Sequence, residues 1–316
     1  MHAPDHLLTA PLSAATAVVA AGGVAYAVHR ARSGTEPRRV ALAVATTAFI
    51  FAAQMVNFPV LPGTSGHLIG AALAVALLGP WLAVLSVTLV LVVQSVVFAD
   101  GGLTALGTNV VLMGLVGVAV AASAAALVRK LRGGEAAPRL GAALGAFASM
   151  PVAAAVLAGL FAVGGNRQVP FGEFFSAMVG VHALIGIGEA AVTVLVLAAV
   201  MALAPGLAAV DPRPLRQERA RTGVGAVGAG ALVSAGVLAA FASSNPDGLE
   251  AVSEAYAISA LTSPHALAGT LLADYGAVHG LPVAFAGMLG LVVIAGAAWL
   301  LMTPLTRRSS TANVTA

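Results

Sequence analysis

The sequence contains no cysteine, which removes disulfides, thiolate metal sites and cysteine nucleophiles from consideration. Any metal it binds is expected to be held by nitrogen or oxygen. Charge is scarce as well. Only 9% of the residues are charged, against about 25% in an average soluble domain, while 59% are hydrophobic and the mean hydropathy is +0.99. Such a chain is not an ordinary soluble protein. It has no GxxxxGK[ST] stretch and so no P-loop for nucleotide hydrolysis, and no GxSxG, HExxH or paired-carboxylate pattern points to a hydrolase. Aromatic-flanked basic patches are missing, so the pI near 9.9 is no argument for nucleic acid. No repeat of fixed period is present.

What the chain does have is long apolar runs. About 20 apolar residues carry a helix across the hydrocarbon core, and spans are expected near residues 7–28, 40–57, 67–80, 81–99, 108–128, 140–163, 176–204, 223–242 and 281–302. The third is short and ends at Gly79-Pro80, which suits a broken helix packed inside a bundle. The fold class expected is an all-α polytopic membrane protein. Basic residues give its orientation: with the N-terminus outside, Arg30, Arg32, Arg38, Arg39, Arg129, Lys130, Arg132, Arg139, Arg213, Arg216, Arg219, Arg221, Arg307 and Arg308 all fall in cytoplasmic segments. Of the 15 basic residues only Arg167 lies outside, which predicts an N-out, C-in topology.

Residues 7–27 resemble a signal peptide, but residues 1–6 hold no Lys or Arg, so the segment is expected to be retained. On it Ala17, Ala21 and Ala25 recur at one-turn spacing, which permits close helix contact. The clearest joint runs from Ala204-Pro205 to Arg221. It divides a seven-span body, 1–205, from a basic linker, 206–222, and a two-span appendage, 223–316. The appendage encloses an external segment, 243–280, that contains Asn245-Pro246-Asp247-Gly248-Leu249-Glu250.

Two histidines stand out. His67 lies in a proline- and glycine-rich break, Asn57 to Leu68, between two apolar runs, where irregular backbone can present an imidazole to something small. His2 follows Met1 directly. A free α-amine, the deprotonated amide nitrogen of His2 and its imidazole Nδ1 can chelate one ion through a five- and a six-membered ring. His67 is the candidate for a fourth nitrogen. Tetragonal nitrogen coordination is the preference of Ni(II) and Cu(II), and protonation of the amine in acid weakens such a site. Gln54, Asn57, Gln94 and Asn109 are candidates to orient the ligands or to bond between helices. His182 and Glu189 are two turns apart on one helical face, as a proton relay or a structural ion pair would be. His6, His265, Asp274 and His279 lie on the external side, either solvated or collecting cations.

Met1-His2, the run from Ala53 to Pro59, Gly63-Thr64-Ser65-Gly66-His67-Leu68, Leu78-Gly79-Pro80-Trp81 and Asp100 to Gly107 resemble the CbiM/NikM family. These are the substrate-binding components of cobalt/nickel energy-coupling-factor transporters, and the likeness covers residues 1–205. The segment Asn245 to Glu250 is similar to the companion NikN/PDGLE-type unit, here fused as in NikMN proteins. The resemblance implies a seven-helix body that takes Ni2+ or Co2+ as transported substrate through Met1, His2 and His67, with Gln54, Asn57, Ser65 and Gly66 in support. It also implies a non-enzymatic component of the bacterial cytoplasmic membrane, docked on a membrane coupling subunit and two cytoplasmic ABC-type ATPases. The sequence departs from the family's usual pattern at Ala3 and His6, and His6 could compete as a ligand. The alternatives are a cobalt importer component and a proton-coupled secondary carrier working through His182 and Glu189.

Overall fold

The computed structural model describes residues 1–32, 35–165 and 169–306; Arg167, Arg307 and Arg308 lie outside the described residues. The chain is built mainly from helices: α1 (Ala10–Arg32), α2 (Pro37–Gln54), α3 (Ala71–Leu78), α4 (Pro80–Val97), α5 (Leu106–Asn109), α6 (Gly117–Leu131), α7 (Ala137–Gly164), α8 (Phe171–Leu203), α9 (Gln217–Gly236), α10 (Gly248–Ala255) and α11 (Val283–Met302). A π-helical segment, Val110–Val116, joins α5 to α6 in one continuous rod.

Among the described residues six helices are long and apolar enough to cross a membrane: Ala10–Arg32, Pro80–Val97, Leu106–Leu131, Ala137–Gly164, Phe171–Leu203 and Val283–Leu305. They coincide with six of the expected spans. The other long helices, α2 and α9, begin in charged residues, Arg38 and Arg39 in one and Glu218, Arg219 and Arg221 in the other. The expected span at 67–80 is a helix of only 8 residues, all buried. Gly79, at φ 81°, ends it, and Pro80 starts α4 at a position where its missing N–H costs nothing.

Close packing follows from small side chains. A Cβ on Gly141 or Gly145 of α7 would stand 2.9 Å from the Cα of Ala125 or Ala121 on α6, so the two backbones touch and larger residues are excluded. The stripe that α1 buries is Thr16, Ala20, Ala27 and Ala31. Of the alanine row read from the sequence, Ala17 meets Gly107, while Ala21 and Ala25 are exposed on the chain. Helices α9 and α11 pack on each other and on α2.

The break around residue 60 differs from an irregular loop and adds a small sheet to the helical fold. Phe58–Leu61 (β1) and Thr64–Gly66 (β2) form an antiparallel hairpin, pairing Phe58 with Gly66 and Pro59 with Ser65. Gly63 supplies the positive φ, 74°, that the tight turn needs. This hairpin delivers His67 to one end of the bundle. Arg30 and Arg32 end α1, Arg38 and Arg39 begin α2, and Arg129 and Lys130 end α6, so these basic residues collect at the ends away from Met1.

Candidate metal centre

Three loops hold the N-terminus. The glycines of Asp100-Gly101-Gly102 let the chain 1–5 lie against them. A Cβ on Gly101 would be 3.3 Å from the Cβ of His2, and one on Gly102 only 2.2 Å from the backbone nitrogen of Asp5. The Gly102 N–H donates to the Ala3 carbonyl at 2.9 Å, and the Ala3 N–H donates to Oδ1 of Asn109 at 2.8 Å. The carboxylate of Asp5 accepts from both the N–H and the hydroxyl of Thr104, each at 2.7 Å. Residues 3–5 are thus fixed on both edges, and Met1 and His2 project inward, Met1 only 3% exposed.

There the amine of Met1 meets Nε2 of His67 at 2.5 Å, across 66 positions of sequence. The Nδ1 of His67 lies 2.9 Å from the Leu68 carbonyl oxygen, which only an N–H satisfies, so that tautomer turns the Nε2 lone pair to the amine. The imidazoles of His2 and His67 stack, with centroids 4.9 Å apart and planes at 16°. Nitrogen is therefore concentrated at one point. The other ring contacts of His2 are to oxygen, Nδ1 facing Oδ1 of Asp100 at 3.3 Å and Nε2 facing Oε1 of Gln94 at 3.2 Å. Burial, opposed by Asp100, lowers the His2 pKa to about 4 and keeps the ring neutral. A neutral ring has one N–H and satisfies one of these two acceptors, leaving the other nitrogen for a metal.

Asp247, which no metal-ligand pattern in the sequence marks, also reaches this point. Its Oδ2 accepts from the Met1 amine at 2.7 Å and lies 3.4 Å from Nε2 of His67. Burial raises its pKa, but the Met1 ammonium outweighs that and holds the carboxyl well below its ordinary value. Nothing in its local motif, a helix N-cap, distinguishes a cap from a partner of the distant N-terminus. Asp100 and Tyr275 form a second contact, the Tyr275 hydroxyl donating to Oδ2 of Asp100 at 2.7 Å. A cavity of about 980 Å3 opens onto His2, His67, Asp100, Asp247, Gln54 and Asn57.

The supporting residues divide by task. The Gln54 amide donates to the Ile69 carbonyl at 2.8 Å and Ser65 Oγ to the Asn245 carbonyl at 2.7 Å, so both fix the loop and neither bonds the His67 ring. Gly66 is a packing position, since a Cβ there would overlap Ile185 on α8. The backbone carbonyl of Asn57 accepts from the Ser243 N–H at 2.8 Å. His182 and Glu189 do not pair: Nδ1 of His182 donates to the Met178 carbonyl at 2.7 Å, while Glu189 accepts from the Ile69 and Gly70 N–H groups at 2.6 and 2.8 Å. Glu189 anchors the segment just after His67. His6 is exposed, its N–H directed to the Thr104 hydroxyl at 3.2 Å. Among the described residues no group of three or more His, Asp and Glu side chains is arranged to hold a metal.

A family model described as the cobalt uptake substrate-specific transmembrane region, CbiM, matches residues 2–207. The chain belongs to the CbiM family. A putative metal transport protein of Haloquadratum walsbyi is 36% identical over 209 residues, covering 66% of this chain and 93% of the relative. A putative fused nickel transport protein NikMN of Archaeoglobus fulgidus is 42% identical over 120 residues, 38% of this chain and 40% of the relative. Among solved structures, a truncated transition metal transporter superposes with a TM-score of 0.57 at 28% identity, covering 64% of this chain and 99% of that one. The CbiM-type region thus runs from His2 through the His67 hairpin and the Asp100 loop, and ends before α9.

Proposed function

We propose that this CbiM-family chain is the substrate-specific component of an ATP-driven nickel or cobalt importer of the energy-coupling-factor type. The observation that carries this reading is the Met1 amine at 2.5 Å from His67 Nε2 with the His2 ring stacked beside them. Two imidazoles, an α-amine and a main-chain amide nitrogen make a donor set suited to a tetragonal divalent ion. The ion enters from the cavity, replaces one proton of the Met1 ammonium and the proton of the His2 amide, both of which pass to water, and takes Nδ1 of His2 from Asp100 and Nε2 of His67 from the amine contact. Asn109 and the Gly101-Gly102 loop hold residues 2–5 in place, and Glu189 and Gln54 hold the segment after His67. The protein thereby fixes geometry before the ion arrives and limits the ordering left for binding to complete.

The topology that suits this role has the N-terminus and cavity outside and the basic helix ends in the cytoplasm, with body 1–205, linker 206–222 and a NikN-like appendage at 223–316. A membrane coupling subunit and two cytoplasmic ATPases supply the energy, since this sequence holds no P-loop. Nickel is favoured over cobalt by the square nitrogen field and by the nickel names of the fused relatives. Metal analysis of protein purified without an affinity tag tests the site. Stoichiometric nickel is expected in the wild type and its loss in His2→Ala and His67→Ala, while intact mass should show an unmodified Met1. Nickel retained at full stoichiometry by His67→Ala, or an acetylated Met1 in the nickel-loaded protein, refutes the reading.

A further inference from the structure

The two carboxylate oxygens of Asp247 have different tasks. Oδ1 caps α10, accepting from the Leu249 and Glu250 N–H groups at 2.8 and 2.9 Å, and Glu250 returns a bond to the Asp247 N–H at 2.9 Å. Oδ2 takes no part in the cap and is the oxygen 2.7 Å from the Met1 amine. Separate bonds place this loop over the site: the Ser65 N–H donates to the Pro246 carbonyl at 2.8 Å, beside the Ser65 hydroxyl bond to Asn245. The position of the carboxylate is therefore set by the hairpin that carries His67.

Charge counting gives the contact a second meaning. A protonated amine carries a single positive charge. A divalent ion held by the amine, an ionised amide nitrogen and two neutral imidazoles carries the same net charge, because the amide cancels one of its two. One carboxylate therefore balances the site before and after loading. We propose that Asp247 is the counter-ion of the ion-loaded site, supplied in cis by the C-terminal appendage, and that it sets the affinity for the ion. This rests on the four-nitrogen reading of the site.

Asp100 is the other carboxylate beside the ligands, but its side chain is 26% exposed against 10% for Asp247, so water screens it more. The loss of Asp247 weighs most on the loaded state. Without an ion, the ammonium keeps the Nε2 lone pair of His67 at 2.5 Å as an acceptor and so retains a partner. The chelated ion is pinned and leaves its charge buried without a partner.

The test uses the full chain, purified without a metal-binding tag, as wild type, Asp247→Asn, Asp247→Ala and Asp100→Asn. Asparagine caps a helix as well as aspartate does, so Asp247→Asn removes the charge and keeps the cap. Calorimetric titration with Ni(II) should give an affinity lower by about 10-fold or more in Asp247→Asn, and a smaller loss in Asp100→Asn. Acylation of the Met1 amine in the ion-free protein, scored against the single, exposed Lys130 as reference, should rise in Asp247→Asn. Wild-type affinity in Asp247→Asn with weak binding in Asp247→Ala makes Asp247 a helix cap only and overturns the proposal. If the wild type itself binds no nickel while Met1 labelling still rises in Asp247→Asn, the ion-site reading has failed and the counter-ion role falls with it, although the ion pair stands.

Discussion

Replacing Gly102 by alanine should weaken nickel binding while leaving the helical bundle folded. The added Cβ would lie 2.2 Å from the Asp5 nitrogen, 2.6 Å from the Pro4 carbonyl carbon and 2.7 Å from the Asp5 Cα, all of them backbone atoms that no rotamer change can move. Ordinary contact needs roughly 3.4 Å, so the strand of residues 3–5 must retreat by about 1 Å, an overpacking that typically costs about 1–3 kcal/mol. The retreat also strains the Gly102–Ala3 bond and the two bonds from Thr104 to Asp5, each worth about 0.5–1.5 kcal/mol. A net loss of about 2–4 kcal/mol, taken from the placement of Met1 and His2, corresponds to an affinity roughly 30- to 700-fold lower. Calorimetric titration with Ni(II) reads it directly. Gly159→Ala on α7, where a Cβ meets nothing within 4 Å, is the control and should bind as wild type. Unchanged affinity in Gly102→Ala would refute the view that this loop sets the position of the N-terminal ligands.

Two further substitutions probe other parts of the frame. Glu189→Gln keeps one acceptor and turns an amide N–H2 toward the other donor, so it should cost about 1.5–3 kcal/mol in thermal stability and lower nickel affinity through the Ile69-Gly70 segment; abolished uptake together with full uptake by His67→Ala would instead make Glu189 a relay. At the linker, Asp211 accepts from Gly206, from the Arg213 backbone and from its guanidinium. Burial opposes ionisation there, but these partners prevail and lower its pKa. Its contribution to stability is therefore present above the unfolded value of 3.8 and lost as pH falls through the lower folded value. Asp211→Asn should lower thermal stability by ~1 kcal/mol at neutral pH, with the gap closing below about pH 4. An equal gap at pH 7 and pH 3 would refute that origin.

Much of the scaffold was legible because hydrophobic length is a local property. Six of the expected spans reappear as helices within a few residues, and Gly79-Pro80 breaks the chain as its backbone chemistry requires. The His67 break was located but not its form, since hairpin pairing between residues 58–61 and 64–66 depends on register and on the Pro246 carbonyl that Ser65 binds. His182 and Glu189 show the limit of spacing arguments. Seven residues apart puts them on one face of α8, yet Glu189 finds backbone N–H donors of the loop nearer to hand than any cation.

The sequence by itself determined that this chain belongs in a bilayer, that no thiolate is available to a metal, and that Met1, His2 and His67 are nitrogen donors worth bringing together. Tertiary structure alone decided that they do meet, that Asp100 and Gln94 face the two ring nitrogens of His2, and that Asp247 pairs with the N-terminal amine across 246 positions. Helix-forming pattern and donor chemistry are carried by neighbours in sequence. The balance of charge at a buried point is settled by whichever groups folding brings there.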